Sequence, residues 1–87
     1  MYIPPSDRMT VGQYNMMQSI TEDILYRADR LCMNQGIGYS RFCKSLHIKP
    51  NTLNRMQDGC GYPSLPALCI LCDALGLELY TRKKEEP

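Results

Sequence analysis

RFCKSLHIKPNTLNRMQDG, residues 41–59, holds two short amphipathic segments with almost nothing between them, and its reading decides the fold. In the first segment Phe42, Cys43 and Leu46 fall at i, i+1 and i+4, so one side of a helix is apolar while Arg41, Lys44 and Ser45 point away from it. In the second, Pro50 suits a first helical position, Leu53 and Met56 lie three apart on one face, and Gly59 offers a left-handed stop. Only His47, Ile48 and Lys49 lie between. So short a connection makes the helices cross sharply with Ile48 in the corner, the geometry of a helix-turn-helix.

The charge around this stretch is one-sided although the chain as a whole is close to neutral, at +1. From Arg30 to Gln57 the basic residues are Arg30, Arg41, Lys44, Lys49 and Arg55, and all nine acids of the chain lie outside. A duplex attracts cations through counterion release and repels carboxylates, so an acid-free basic stretch over the two helices is what a DNA-facing surface requires. A solvated basic face without a partner is the alternative.

Outward from the motif, the N-terminal side predicts an arm and one or two helices. Pro4 and Pro5 keep the arm out of helix. Thr10 with Gln13 and Ser19 with Glu22 each match a capping box, which favours two helix starts. The second opens a helix over 20–35 with Ile20, Ile24, Ala28, Leu31 and Cys32 inward, ending at Gly36. Val11, Tyr14 and Met17 belong to a short preceding helix or to an extension of the same one. On the C-terminal side Ser64 is a good N-cap, Pro66 is tolerated in the first turn, and Leu65, Leu68, Leu71, Cys72 and Leu75 form a buried stripe before Gly76. From Leu77 the pattern alternates, which suits a short strand. That strand needs a partner, either Tyr2 and Ile3 or its copy in a second subunit. The expected organisation is an arm or short helix over 1–18, a domain over 19–79 and a tail over 80–87.

Composition excludes several classes. At 87 residues the chain makes one domain, able to bury roughly 60 to 65% of its unfolded surface. No apolar run is long enough to span a membrane, and the prolines near the start are unlike a signal peptide, so a cytoplasmic protein is expected. Five cysteines scattered through apparent helices suit a reducing compartment better than a disulfide framework. Cys69 and Cys72 have CxxC spacing, and Cys60 and His47 complete a paper zinc site, but Cys72 falls on the leucine stripe and buried free cysteines behave as small hydrophobes. Neither metal nor cofactor is therefore expected. With one histidine, no carboxylate cluster and no phosphate loop, nothing suggests an enzyme.

The order of these features resembles the lambda-repressor/Cro-type (XRE-like) helix-turn-helix regulators. The resemblance runs from Ile20 to Leu79 and rests on Gly36-Ile37, Phe42-Cys43, Leu46, Ile48, the polar run Asn51-Thr52-Leu53-Asn54-Arg55, Gly59, Tyr62-Pro63-Ser64-Leu65 and Ala74-Leu75-Gly76. It implies an all-α, compact bundle of about five short helices whose second motif helix lies in the major groove. Three positions depart from the family pattern. Cys43 replaces the usual Ala, His47 the turn Gly, and Cys60-Gly61-Tyr62 the usual hydrophilic, often basic loop. His tolerates a left-handed backbone better than most residues. The altered loop leaves the Tyr62 hydroxyl and backbone amides as phosphate contacts.

Helix geometry puts Asn51, Thr52, Asn54 and Arg55 opposite Leu53 and Met56, where they meet base edges: Asn pairs with adenine, Arg with guanine, and Thr with either polar edges or a thymine methyl. An ion pair between Arg55 and Asp58 is the competing role for that arginine. The resemblance implies phosphate anchoring by Tyr39, Ser40, Arg41 and Lys44, with Lys49 able to serve either role. It also implies a homodimer on a palindromic operator, through the segment with Val11, Tyr14, Met16 and Met17 or through the strand-like Leu77 to Arg82. The expected function is sequence-specific transcriptional regulation by a small dimeric repressor of phage, mobile-element or autoregulatory type. The alternatives are the antitoxin of a toxin-antitoxin module, with a toxin as partner, and a protein-interaction module that keeps the fold without binding DNA.

Overall fold

In the computed structural model, which describes residues 9–81, the chain is all-α. Among the described residues there are four helices: α1 (Val11–Gln35), α2 (Tyr39–Ser45), α3 (Thr52–Asp58) and α4 (Leu65–Ala74). Four replace the expected five or so because the two capping boxes near the start do not both open a helix. Thr10 is the cap that is used: its Oγ1 accepts the Gln13 N–H at 3.1 Å, and the Gln13 side chain accepts the Thr10 N–H at 2.9 Å. Ser19 lies inside α1, which runs unbroken through it. Once a helix is nucleated, each added residue gains a hydrogen bond, and no Pro or Gly interrupts residues 13–35.

The inward stripe of α1 is Thr21, Ile24, Ala28 and Cys32 rather than one running through Ile20 and Leu31. The core phase is rotated by part of a turn, leaving Leu31 at its edge and Ile20 42% exposed. Thr21 was hidden from a hydrophobicity pattern. Its hydroxyl donates to the Met17 carbonyl at 2.8 Å, which removes the cost of burying it.

Helices α1, α3 and α4 each stop at a left-handed glycine or just before one, and the same device recurs. Beyond Gly36, Ile37 N–H donates to the Cys32 carbonyl at 3.0 Å; beyond Gly59, Cys60 N–H donates to Arg55; beyond Gly76, Leu77 N–H donates to Cys72 at 2.7 Å. At each end this closes orphan carbonyls, and Ile37 and Leu77 are returned onto the core. The core itself joins Ile24, Ala28 and Cys32 of α1, Phe42 and Cys43 of α2, Leu53 and Met56 of α3, and Leu71 and Cys72 of α4.

Two other expectations are corrected. Ser64 caps α4 by accepting the Ala67 N–H, but Leu65 is 67% exposed, because the first turn of α4 stands outside the core and the buried stripe starts at Leu68. Residues 77–81 form no strand: in a single chain their backbone has no ladder partner among the described residues. The proposed partners Tyr2 and Ile3, the arm with Pro4 and Pro5, and the tail from Arg82 onward lie outside the described residues. No helix among those described is long and apolar enough to cross a membrane.

Candidate nucleic-acid interface

Between α2 and α3 the chain turns in six residues, 46–51. His47 has φ 60°, the only non-glycine residue among those described with a left-handed backbone, as expected for a position where a glycine would be easier. Ile48 is half-buried against the core, and its N–H donates to the Cys43 carbonyl at 3.2 Å. Cys43 itself is fully buried, and so is Leu53 on the facing helix. These contacts fix how α3 leaves the turn.

Helix α3 begins at Thr52, two residues after Pro50, so Pro50 belongs to the turn and Asn51 is the N-cap. The Asn51 side chain makes no capping hydrogen bond and is exposed. Around this short helix Leu53 and Met56 are buried at 0% and 4% exposure, while Asn51, Asn54, Arg55 and Asp58 share the outer face. Thr52 sits at the flank, half-buried, its hydroxyl donating to the Lys49 carbonyl at 2.7 Å.

The predicted site residues fall into two groups. Lys49, Asn51, Thr52, Arg55 and Tyr62 line one open groove of about 440 Å³ between the start of α3 and the start of α4. Tyr39, Ser40, Arg41 and Lys44 lie on α2, and Asn54 on the outer side of α3; none of them lines that groove. Arg41, Lys44 and Lys49 are exposed.

Besides Thr52, three more of the predicted residues already have partners inside the molecule. Arg55 does not pair with Asp58. Its Nη2 donates to the Cys60 carbonyl at 3.1 Å, and its guanidinium lies so close over Gly61 that a Cβ there would stand 2.8 Å from Nη2. Tyr62 is half-buried and its hydroxyl donates to Gln18 Oε1 at 3.4 Å; burial raises its pKa, with Tyr14 adding to the effect. Tyr39 is half-buried as well, and its pKa is raised first by burial and then by the negative charge of Asp29 nearby. The acid-free stretch therefore meets an acid in space, one residue before it begins in sequence.

Arg30, the first cation of that stretch, turns back along α1, donating to the Tyr26 hydroxyl at 3.0 Å with its guanidinium 5.6 Å from the ring centroid. The basic surface beside α3 is thus carried by Arg41, Lys44 and Lys49. Gly61, Asp29 and Gln18 are the contributors missed in the sequence. Gln18 reaches Tyr62 from far along the chain, while Gly61 and Asp29 are brought to Arg55 and Tyr39 by the chain turns that follow α3 and α1.

The cysteines divide by burial. Cys32, Cys43 and Cys72 are buried, and burial raises each thiol, Cys43 being drawn back somewhat by a hydrogen bond from the backbone at Leu53. Cys60 and Cys69 are exposed. Among the described residues no three of His, Cys, Asp or Glu are grouped as metal ligands. Compared with protein-family models, with characterised proteins and with solved structures, the chain matches none.

Proposed function

We propose that the chain is a sequence-specific DNA-binding regulator in which α2 and α3 act as a helix-turn-helix and α3 enters the major groove. The observation that carries this reading is the division of α3. Leu53 and Met56 are sunk in the core, while Asn51, Asn54 and Arg55 stand together on the exposed face at and beyond the start of the same helix. An exposed helix surface made of two carboxamides and a guanidinium matches the donor and acceptor pattern of base edges, each good bidentate pair being worth roughly 1 to 3 kcal/mol of discrimination.

Polarity along α3 adds direction. Asp58, on the same face one turn further, repels phosphate, so the N-terminal turn with Asn51 and Asn54 leads into the groove. Arg41, Lys44 and Lys49 supply the backbone contacts, with Ser40 at the start of α2. Arg55 must leave the Cys60 carbonyl to reach a base, which costs part of the affinity it brings. We take Asn51 and Asn54 as the principal readers, Arg55 as conditional, and Tyr39 and Tyr62 as braces that face Asp29 and Gln18. The role fits a small repressor acting without metal or cofactor.

A protein-interaction module is the second reading, favoured by the inward commitments of Arg55, Tyr39 and Tyr62. The antitoxin variant rests on a strand from Leu77 to Arg82 paired across a dimer; in the single chain residues 77–81 form none. Binding to a duplex carrying the preferred site separates the first two. On the DNA reading Asn54→Ala relaxes base preference, while Lys44→Ala weakens all sequences alike and lowers the salt slope by about 1. Identical, salt-independent behaviour of both variants would reject the assignment.

A further inference from the structure

We infer that Arg55 acts from the position in which the structure holds it, as a clamp for a phosphate group, and that Gly61 is the residue that places it there. Identifying that phosphate as one of a duplex backbone rests on the DNA reading. From the middle of α3 the Arg55 side chain leans toward the loop beyond the helix, away from the N-terminal turn that carries Asn51. Its guanidinium lies over Gly61, with Nη2 donating to the Cys60 carbonyl at 3.1 Å. A carbonyl is a neutral acceptor, so it fixes the group without cancelling its charge. Among the described residues no carboxylate forms a salt bridge with Arg55. Gly61 itself is not called for by its backbone, because the left-handed glycines are Gly36, Gly59 and Gly76. What a side chain at 61 would meet is Arg55: a Cβ would stand 2.8 Å from Nη2 and 3.0 Å from Nε. The missing side chain is the space the guanidinium occupies.

That position puts an unneutralised cation into the open groove of about 440 Å³ between the starts of α3 and α4. Lys49 brings a second charge to the same groove, with Asn51, Thr52 and Ser64 beside it, and among the described residues no Asp or Glu lines it. Asp58 stays outside. The loop along one side, Cys60-Gly61-Tyr62, has no cation of its own, so Arg55 supplies from the helix the charge that the loop lacks. One guanidinium N–H is engaged, and the remaining donors keep the planar fork that matches two oxygens of one phosphate. An arginine already held in place loses less rotamer freedom when the anion arrives. Swinging to a base would break the bond to Cys60 and forgo that advantage. Base reading then falls to Asn51 and Asn54, and Arg55 joins Arg41, Lys44 and Lys49 as a backbone contact.

Heteronuclear NMR of the full chain, titrated with inorganic phosphate against chloride at constant ionic strength and pH, tests the clamp without DNA. The Arg55 Nε–H and Gly61 N–H resonances are expected to shift together, and the shift at residue 61 is expected to vanish in Arg55→Ala. A phosphate response no larger at Arg55 than at the exposed Arg41 would overturn the clamp. The second arm uses the duplex recovered by selection, with far-UV circular dichroism as the check on folding. Arg55→Ala is expected to weaken every sequence by roughly tenfold, lower the salt slope by about 1 and leave base preference unchanged. Gly61→Ala, which dislodges the guanidinium but keeps its charge, is expected to weaken binding by less. Relaxed base preference in Arg55→Ala, or a Gly61→Ala protein that binds at least as tightly as wild type, would also overturn it. A phosphate response at Arg55 with no duplex binding at low salt would leave the clamp standing and count against the DNA reading alone.

Discussion

Gly61→Ala probes the contact that decides what Arg55 is for. A Cβ at residue 61 would stand 2.8 Å from Arg55 Nη2, 3.0 Å from Nε and 3.1 Å from Cζ, closer than carbon and nitrogen pack, so the guanidinium must move. Moving it breaks the 3.1 Å hydrogen bond to the Cys60 carbonyl. A charge-assisted bond is worth about 1.5 to 3 kcal/mol when shielded, and with Arg55 exposed we take about 1 kcal/mol. Against this, Gly61 is not in a left-handed conformation, and the Ala side chain restricts the unfolded chain, gaining about 0.4 to 1 kcal/mol. The single substitution is therefore expected to be nearly silent, and the informative quantity is its coupling to Arg55→Ala. By thermal unfolding of the four-member cycle, Arg55→Ala should lower Tm by about 4 to 8 °C in the wild-type background and by close to nothing in the Gly61→Ala background. Equal losses in both backgrounds would refute the latch. On DNA the same pair is instructive: if Arg55 swings out to a base, Gly61→Ala has already released it and should bind at least as tightly as wild type.

Three further outcomes follow from the backbone and the thiols. His47 holds a left-handed conformation that costs an L-residue about 1 to 2 kcal/mol, so His47→Gly should be near neutral after the entropy of glycine is counted, and His47→Val should lose about 1 to 2 kcal/mol in urea unfolding. A thiol reagent should modify Cys60 and Cys69 in the native protein and reach Cys32, Cys43 and Cys72 only on unfolding. Because burial raises those three above the ordinary thiol value of 9.0, the folded chain keeps protons the unfolded chain has released. Their contribution is fully present below pH 9.0 and is lost as pH rises through the folded values, so stability should fall at alkaline pH, as measured by urea titration across that range.

What the sequence revealed was chiefly local. The glycines Gly36, Gly59 and Gly76 mark left-handed ends that only their residue type makes cheap, and Thr10, Ser64 and His47 do what their side chains and spacing suggest. The α2–α3 core was legible because Phe42, Cys43, Leu53 and Met56 are apolar and correctly spaced. The errors came where two local signals compete or where the answer lies across the fold. Ser19 with Glu22 is a sound cap, but a helix already running through it has no orphan donors there. The alternation from Leu77 is a strand pattern without a strand to pair with. Within the candidate site, helical period alone accounts for the exposure of Asn51, Asn54 and Arg55, but not for Thr52, which is expected on that face and lies half-buried at its flank with its hydroxyl on the Lys49 carbonyl. Nor does period give the partners that restrain Arg55, Tyr39 and Tyr62, since Gly61 and Asp29 are brought in by the chain turns that follow α3 and α1, and Gln18 comes from far along the chain.

Selection of bound duplexes from a random pool, at low and then moderate salt, tests the central claim most directly. The account predicts enrichment of a two-fold related site, lost or broadened for the Asn51→Ala, Asn54→Ala double variant, with affinity falling as salt rises. Recovery of no preferred sequence at low salt from correctly folded protein would contradict it.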